Sequence, residues 1–216
     1  MLHIILAESP LELIPESISK HKVIRKYAKR RGKKPEECLL DSNFHHVAMK
    51  NLEDFNRRGR PDIVHVTLLY LLSSIPKKED KLRVYVHTLN DEVIFIKPET
   101  RLPRSYNRFV GLIEQVMLEG KTPNNLLFKE DIDIKELISR INPDCTILMD
   151  EKGENDLKFL ISALKKANPC IIIGAFPHGG FKKSYEFADK RISLYREALD
   201  TLAVAGKVLC LYESVL

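Results

Sequence analysis

The sequence has few cysteines and no long hydrophobic run. Its four cysteines form no C-x-x-C pair, so the pattern does not indicate a structural zinc site or a disulfide framework. The seven histidines form no H-E-x-x-H or similar set of ligands, and we predict no metal. No apolar stretch approaches the roughly 20 residues that a membrane span needs. The apolar start at residues 1–6 soon meets Pro10, which argues against a signal peptide. These absences predict a soluble, cytoplasmic protein.

Two common nucleotide-binding motifs are absent as well. The chain has neither the G-x-G-x-x-G dinucleotide fingerprint nor a Walker phosphate-binding loop. What it does have is 44% hydrophobic residues among 216, which suffices for one substantial core. No internal repeat or low-complexity segment divides the sequence. We therefore predict a single domain over residues 1–216, with a hairpin and basic elaboration in its first half.

Positive charge is concentrated in a few places. The net charge is only +5, but basic residues cluster in residues 20–34, in residues 57–60 and at Arg101, Arg104 and Arg108. Arginine groups that are not interleaved with acids are typical of a protein that meets a polyanion. For the lysine-rich 20–34 stretch alone, a solvated charged surface explains the pattern equally well.

The second half of the sequence alternates strand and helix patterns. Predicted strands cover residues 145–149, 170–173 and 191–194, and predicted helices cover 157–166 and the chain from Glu197 onward. This alternation predicts an α/β fold with a mainly parallel sheet and helices on both faces. In such sheets, ligands bind in the loops at the carboxyl ends of the strands. Those loops are predicted at residues 150–153, 174–180 and 195–197.

The first half contains a predicted strand, a hairpin and a buried helix. Residues 2–6 form a short apolar strand pattern, and residues 82–86 and 93–96 form two more that suggest a β-hairpin. Pro61 opens a helix over residues 62–74. Because this helix is apolar nearly all round, we expect it to be buried.

The third group of arginines lies at the start of another predicted helix, residues 104–118. If that helix begins at Pro103, Arg104 and Arg108 share one face, and Arg101 can reach the same side. Guanidinium groups bind phosphate oxygens and stack on bases. We therefore favour RNA contact for these arginines over pairing with acids on the protein surface.

A glycine-containing loop, GAFPHG at 174–179, follows the apolar strand pattern. Glycine permits positive φ and a close approach of the backbone to a flat ligand, although a plain tight turn is the commoner explanation of such a loop alone. Two earlier segments accompany it, RRGRPD at 57–62 and RLPRSYNRF at 101–109. Together the three segments resemble the family of ribosomal small-subunit pseudouridine N1-methyltransferases in the SPOUT superfamily. The resemblance extends over essentially the whole chain.

The resemblance implies a SPOUT-type α/β knot. In this fold the C-terminal part, here about 143–216, is threaded into a trefoil knot and binds the cofactor, while residues from about 20 to 108 would contain the basic RNA-binding elaborations. The resemblance also implies a homodimer. The closing helix is more apolar than one buried face needs, which agrees with dimerisation, although core burial alone explains it too.

The cofactor implied by the resemblance is S-adenosylmethionine. Carried over by position, its contacts would be mostly backbone groups in the loops at the strand ends, at Gly174, Gly179, Ile192, Ser193, Leu194, Tyr195, Arg196 and Glu197. Taken alone, Ile192 and Leu194 would also suit ordinary core positions of a strand.

The implied reaction is methyl transfer to N1 of a flipped-out pseudouridine in small-subunit ribosomal RNA. The residues expected to contact RNA are Arg57, Arg60, Asp62, Arg101, Arg104 and Arg108. Among these we expect Arg60, Asp62 and Arg101 to act in catalysis, with Arg60 or Arg101 stabilising the developing anion and Asp62 orienting an arginine. A general-base role for Asp62 is less favoured, because pairing with an arginine stabilises the charged carboxylate.

Three alternatives remain open. The chain could be a non-catalytic RNA-binding assembly factor of the small ribosomal subunit, a role that can coexist with methylation and with contacts to the ribosome assembly machinery. It could be a SPOUT methyltransferase that acts on transfer RNA, against which the segments at 57–62 and 101–109 argue. The least specific alternative is an α/β protein that binds another nucleotide.

Overall fold

A computed structural model describes residues 1–216 and contains one seven-stranded sheet. The strands are β1 (Leu2–Ser9), β2 (Leu82–Thr88), β3 (Val93–Ile96), β4 (Leu127–Glu130), β5 (Cys145–Glu154), β6 (Pro169–Gly174) and β7 (Lys190–Ile192). Their order across the sheet is β4-β3-β2-β1-β6-β5-β7. The strands from β2 to β7 in that order are parallel, and β3 and β4 extend one edge with antiparallel pairing.

Nine α-helices surround the sheet. They are α1 (Glu16–Ser19), α2 (Lys22–Arg31), α3 (Ser42–Met49), α4 (Pro61–Leu71), α5 (Ile75–Lys78), α6 (Tyr106–Glu119), α7 (Ile134–Ile141), α8 (Leu157–Leu164) and α9 (Thr201–Glu213). Short 3₁₀ turns at Pro35–Glu37 and Phe55–Arg57 complete the helical part. None of these helices has the length and hydropathy needed to cross a membrane.

The central strand β1 is buried along its whole length because both faces of the sheet are covered. Alternate residues point to opposite faces. Leu2, Ile4 and Leu6 enter the larger core, which includes side chains of α4, α6, α8 and α9. Ile5 and Ala7 enter a smaller core on the other face, which includes side chains of α7. The prediction of an α/β fold with a mainly parallel sheet covered on both faces is therefore confirmed.

The segment between β1 and α4 has a small core of its own. Helices α1 to α3 pack around Ile24, Tyr27 and Met49, together with the buried Cys38 and Leu40. This segment is the part of the chain that contains the predicted basic stretch at 20–34. The trefoil knot and the division of the chain at about residue 143 stay predictions.

The predicted hairpin is confirmed, but two features of the sheet differ from the prediction. Strands β2 and β3 pair antiparallel, with Val86 opposite Ile94. The loop predicted at 150–153 is wrong, because β5 continues to Glu154 and pairs with Ile192 of β7 on both sides of a bulge. The edge strand β4 was not predicted, since four residues give too short a pattern to recognise.

The expectation that the helix after Pro61 is buried all round is wrong. Helix α4 ends at Leu71, and Val64 and Leu68 on its inner side are fully buried. Val66 and Tyr70 on its outer side are 45% and 43% exposed. The structure therefore leaves large apolar side chains on the surface beside α9, with which α4 packs.

Candidate active site

A cavity of about 530 Å³ opens at the carboxyl ends of β5, β6 and β7. This is the edge of a parallel sheet where ligands usually bind, and the volume lies in the range of small-molecule sites. Half of the 26 lining residues are hydrophobic. The walls come from the end of β5, the loop after β6, the segment between β7 and α9, and the start of α4. No group of three or more His, Cys, Asp and Glu side chains is placed to share a metal ion.

The structure brings almost all of the predicted cofactor residues to this cavity. The lining residues among them are Gly174, Gly179, Ile192, Ser193, Leu194, Tyr195 and Glu197. Arg196 is the exception, because its side chain is exposed and extends over the ring of Tyr195. The predicted loop at 195–197 is confirmed, whereas the closing helix begins at Thr201 rather than at Glu197 as predicted.

Hydrogen bonds between neighbouring segments fix the two sides of the cavity. The Thr201 hydroxyl donates to the Gly174 carbonyl over 2.8 Å, which ties the start of α9 to the end of β6. The Ser193 amide donates to the Glu154 carbonyl over 2.9 Å, and its hydroxyl donates to the Tyr195 carbonyl. These hydrogen bonds fix the backbone of both segments.

Glycine is required at both predicted positions of the loop after β6. A Cβ on Gly174 would lie 2.8 Å from the ring of Phe176. Gly179 has φ of +77°, in the left-handed region that favours glycine, and a Cβ there would lie 3.2 Å from a nitrogen of Arg57. The loop therefore presents backbone, rather than side chains, at these two points of the cavity.

Arg60 and Asp62 form an ion pair at the mouth of the cavity. Arg60 donates from Nε and Nη2 to the two carboxylate oxygens of Asp62, each over 2.8 Å. This hydrogen bonding with Asp62 raises the pKa of Arg60. The pair forms because Pro61 starts α4 and places both side chains at the helix entry. It leaves Nη1 of Arg60 without a hydrogen-bond partner in the protein.

Arg101, Arg104 and Arg108 lie outside the cavity and are exposed. None of them forms a hydrogen bond or an ion pair with another side chain of the protein. Their segment is anchored to the neighbouring elements, because the Nε2 of His65 donates to the Pro103 carbonyl over 2.8 Å and the Tyr106 hydroxyl donates to Asp41. Three guanidinium groups are therefore available to an anionic partner.

The expectation that the helix begins at Pro103 is wrong. Helix α6 begins at Tyr106, with Ser105 as its N-cap residue. Ser105 has extended backbone, with φ of −70° and ψ of 122°, and its side chain forms no capping hydrogen bond. Arg104 and Arg108 consequently do not share a helix face, and the three arginines extend along a turn that leads into the helix.

Arg57 occupies a different position from the one predicted. Its side chain is only 4% exposed, and it donates to the carbonyls of His178 and Gly180 and to the carboxylate of Glu8. Its guanidinium carbon lies 4.0 Å from the centre of the Phe176 ring. Because these contacts bury the guanidinium, Arg57 is not on the surface that the other arginines offer to RNA.

Glu8 was missed by the sequence reasoning, although a signal for it exists. It lies near the end of the buried strand β1, at the carboxyl edge of the sheet, and it is 1% exposed. An acid in a buried central strand needs a buried partner, and here that partner is Arg57, over 2.7 Å.

Two cations of the basic stretch at 20–34 form ion pairs within the protein. Arg31 donates through two nitrogens to the buried carboxylate of Glu114 over 2.7 and 2.8 Å, and Lys33 donates to the same group over 2.7 Å. Glu114 also accepts from the Leu39 amide. These contacts join the small helical core to α6 and remove two cations from the free surface.

Comparisons with known proteins extend over the whole chain. The EMG1/NEP1 methyltransferase family profile matches residues 4–213. The protein "Ribosomal RNA small subunit methyltransferase Nep1" of Thermococcus onnurineus is 51% identical, over 99% of this chain and 98% of its own length. Its namesake in Pyrococcus furiosus is 50% identical over 98% and 96%.

A solved structure agrees with these sequence relatives. The crystal structure of Archaeoglobus fulgidus Nep1 bound to S-adenosylhomocysteine superimposes with a TM-score of 0.87 at 42% identity, over 99% of this chain and 97% of that one. The match covers the sheet, the cavity and the arginine segments alike, since almost no residue of either chain lies outside it. The chain therefore belongs to the EMG1/NEP1 methyltransferase family.

Proposed function

We propose that this protein transfers the methyl group of S-adenosylmethionine to N1 of a pseudouridine in small-subunit ribosomal RNA. The observation that supports this most directly is a cofactor-sized cavity whose rim contains the Arg60–Asp62 pair. The names of the relatives give the small-subunit RNA as their substrate. The Archaeoglobus relative binds S-adenosylhomocysteine, which is the product left when S-adenosylmethionine has lost its methyl group.

The residues of the cavity fit such a cofactor. Gly174 and Gly179 expose backbone groups, and Ile192 and Leu194 supply apolar surface for a flat adenine ring. The segment from Ser193 to Glu197 supplies further backbone donors and acceptors for the ribose and the amino-acid end. When bound, S-adenosylmethionine supplies an electrophilic methyl group on a positively charged sulfur.

The arginines bind the RNA and stabilise the negative charge that develops on the target base. Arg101, Arg104 and Arg108 bind phosphates, which positions a hairpin loop with its target base splayed out. As N1 of pseudouridine loses its proton to solvent and bonds to the methyl carbon, the sulfur–methyl bond breaks and sulfur keeps the electron pair. Arg60 directs its free Nη1 to the ring, where a positive charge stabilises the anionic base.

Asp62 is a positioning residue in this scheme, because it fixes two nitrogens of Arg60 and leaves the third for the substrate. Asp62→Gly should weaken RNA binding and lower the free energy of unfolding by about 1–2 kcal/mol, from a partly exposed ion pair and glycine in a helix. The measurements are RNA affinity and urea unfolding. Wild-type values for both would contradict this role.

We further propose that the protein is a cytoplasmic homodimer that acts alongside the ribosome assembly machinery. The exposed Val66 and Tyr70 of α4 form an apolar surface next to Gly206 of α9. Val66 also lines the cavity together with Leu202, so a second copy on this surface would complete the rim. Light scattering should give twice the mass of the chain, and Val66→Glu should give a monomer.

The test of the activity is transfer of labelled methyl groups to two matched small-subunit hairpins, one with pseudouridine and one with uridine. We expect transfer to the pseudouridine RNA alone. Tight RNA binding without any methyl transfer would favour a non-catalytic assembly factor of the small ribosomal subunit. Methyl transfer to bulk transfer RNA would favour a SPOUT methyltransferase that acts on transfer RNA.

A further inference from the structure

The loop that forms one wall of the cavity has almost no hydrogen bonds of its own. In residues 176–184, no backbone amide or carbonyl takes part in a backbone–backbone hydrogen bond. The neighbouring residues do: Ala175 donates to Ala7, and Ala188 donates to Tyr185. A loop packed against a buried core without backbone pairing needs side chains to satisfy its polar groups and fix its path.

Two buried side chains perform this task. Arg57 donates from Nη1 to the carbonyls of His178 and Gly180, over 2.9 and 2.6 Å. Glu8 accepts from the amides of Lys182 and Lys183, over 3.0 to 3.1 Å. No other side chain forms a hydrogen bond with the backbone of residues 176–184.

Glu8 and Arg57 also form an ion pair with each other. The Glu8 carboxylate accepts from Nη2 of Arg57 over 2.7 Å and from the Tyr185 hydroxyl over 3.1 Å. Glu8 takes a positive φ of 52°, an unusual conformation for an acid that turns its side chain at the end of β1. One carboxylate thus joins the edge of the sheet to both Arg57 and the loop.

We infer that Glu8 and Arg57 are positioning residues for the cofactor, acting through the loop at 176–184. Neither side chain lines the cavity, whereas Phe176, Gly179 and Phe181 of the loop do. Arg57 stacks on Phe176 and packs closely against the backbone at Gly179, where a Cβ would lie 3.2 Å from its nitrogen. Losing the pair should leave the core intact and the cavity wall without a fixed shape.

Arg57 of this pair is also close in sequence to the residues that face the RNA. Arg57 stands three residues before Arg60, whose side chain lines the same cavity. The segment between them is held by a hydrogen bond from the Ser42 amide to the Gly59 carbonyl, over 2.7 Å. We expect a shift of the loop at 176–184 to reach Arg60 through Arg57 and this short segment, so that cofactor and RNA strengthen each other's binding.

The test replaces Arg57 by lysine and compares it with Arg58→Lys. Lysine keeps the charge but lacks the planar fork that reaches two carbonyls and a carboxylate at once. Arg58 is the control, because it forms an ion pair with Glu12 and donates no hydrogen bond to the loop. We expect Arg57→Lys to weaken S-adenosylhomocysteine binding at least tenfold by calorimetry and to raise KM for S-adenosylmethionine more than it lowers kcat. Arg58→Lys should stay within twofold of the wild type.

Hydrogen exchange provides a readout that does not depend on the cofactor. The Lys182 and Lys183 amides should lose protection in Arg57→Lys and in the milder variant Glu8→Gln, while the amides of β1 and β6 keep theirs. Unchanged product affinity and unchanged exchange in both variants would overturn the inference, as would equal effects of Arg57→Lys and Arg58→Lys. A wild-type protein that binds no S-adenosylhomocysteine would instead refute the proposed cofactor, and the exchange result would still decide the role of the pair.

Discussion

The most demanding stability prediction concerns Glu114, a carboxylate on α6 with no exposed surface. It accepts four hydrogen bonds, two from Arg31, one from Lys33 and one from the Leu39 amide. Replacement by glutamine keeps the volume of the side chain but removes the charge and turns one acceptor into a donor. That donor would face two other donors of the cluster, so two of the four hydrogen bonds would be lost.

The size of the effect follows from burial. Removing one partner of a fully buried ion pair costs about 3–5 kcal/mol. The side chains of Arg31 and Lys33 are 23% and 32% exposed, so both can regain some hydration, and we expect Glu114→Gln to lower the free energy of unfolding by about 2–3 kcal/mol. For a chain of this length that corresponds to a fall in Tm of roughly 4–12 °C.

Urea unfolding, followed by circular dichroism, measures this change directly. Glu119→Gln on the same helix is the control, because Glu119 is exposed and bonded only to Gln115, and it should change stability by less than about 0.5 kcal/mol. Binding of S-adenosylhomocysteine should not change, since Glu114 does not line the cavity. A loss below about 1 kcal/mol for Glu114→Gln would refute the reasoning.

Three further predictions follow. Burial lowers the pKa of His45 to about 4; the unfolded chain therefore takes up the proton first as the pH falls, and the free energy of unfolding should drop between pH 6.5 and pH 4 by up to about 3 kcal/mol. Urea midpoints should show that His45→Gln reduces this drop, the remainder coming from His3 and His87, whose pKa values burial also lowers, and that exposed His46→Gln leaves it unchanged. Arg104→Ala should weaken hairpin binding and reduce the salt slope of log K by about 0.7–0.9, whereas Arg140→Ala, at an arginine already paired with acids, should leave the slope unchanged. Gly153→Ala should cost about 1–3 kcal/mol in urea, because its Cβ would lie 2.7 Å from the backbone of β7; wild-type stability would show that β5 and β7 can separate there.

Much of the fold was predictable because its strands are strongly apolar. The runs at β1 and β6 bury nearly every residue, and such continuous runs indicate central parallel strands whatever lies around them. The cofactor loops were predictable for the same reason, since the ends of these strands define one edge of the sheet. The cavity lies at that edge.

The features that could not be predicted from the sequence depend on contacts between residues far apart in the chain. Glu154 extends β5 only because β7 lies beside it, and nothing in a charged, glycine-containing segment predicts a strand by itself. Arg57 and Arg60 belong to one motif and have the same chemistry, yet one is buried by Glu8 and the other faces the cavity. Their difference arises from a contact across 49 residues of sequence, which local patterns do not contain.

The most direct test of the proposed reaction is the position of the methyl group in the product. Pseudouridine differs from uridine in having a free N1–H. After digestion of a methylated small-subunit hairpin, liquid chromatography against synthetic nucleoside standards, coupled to mass spectrometry, separates N1 methylation from methylation at N3 or at the ribose. We predict N1-methylpseudouridine as the sole product, with no methyl incorporated when the same position is uridine. A methyl group on the ribose, or equal methylation of the uridine hairpin, would contradict the proposal.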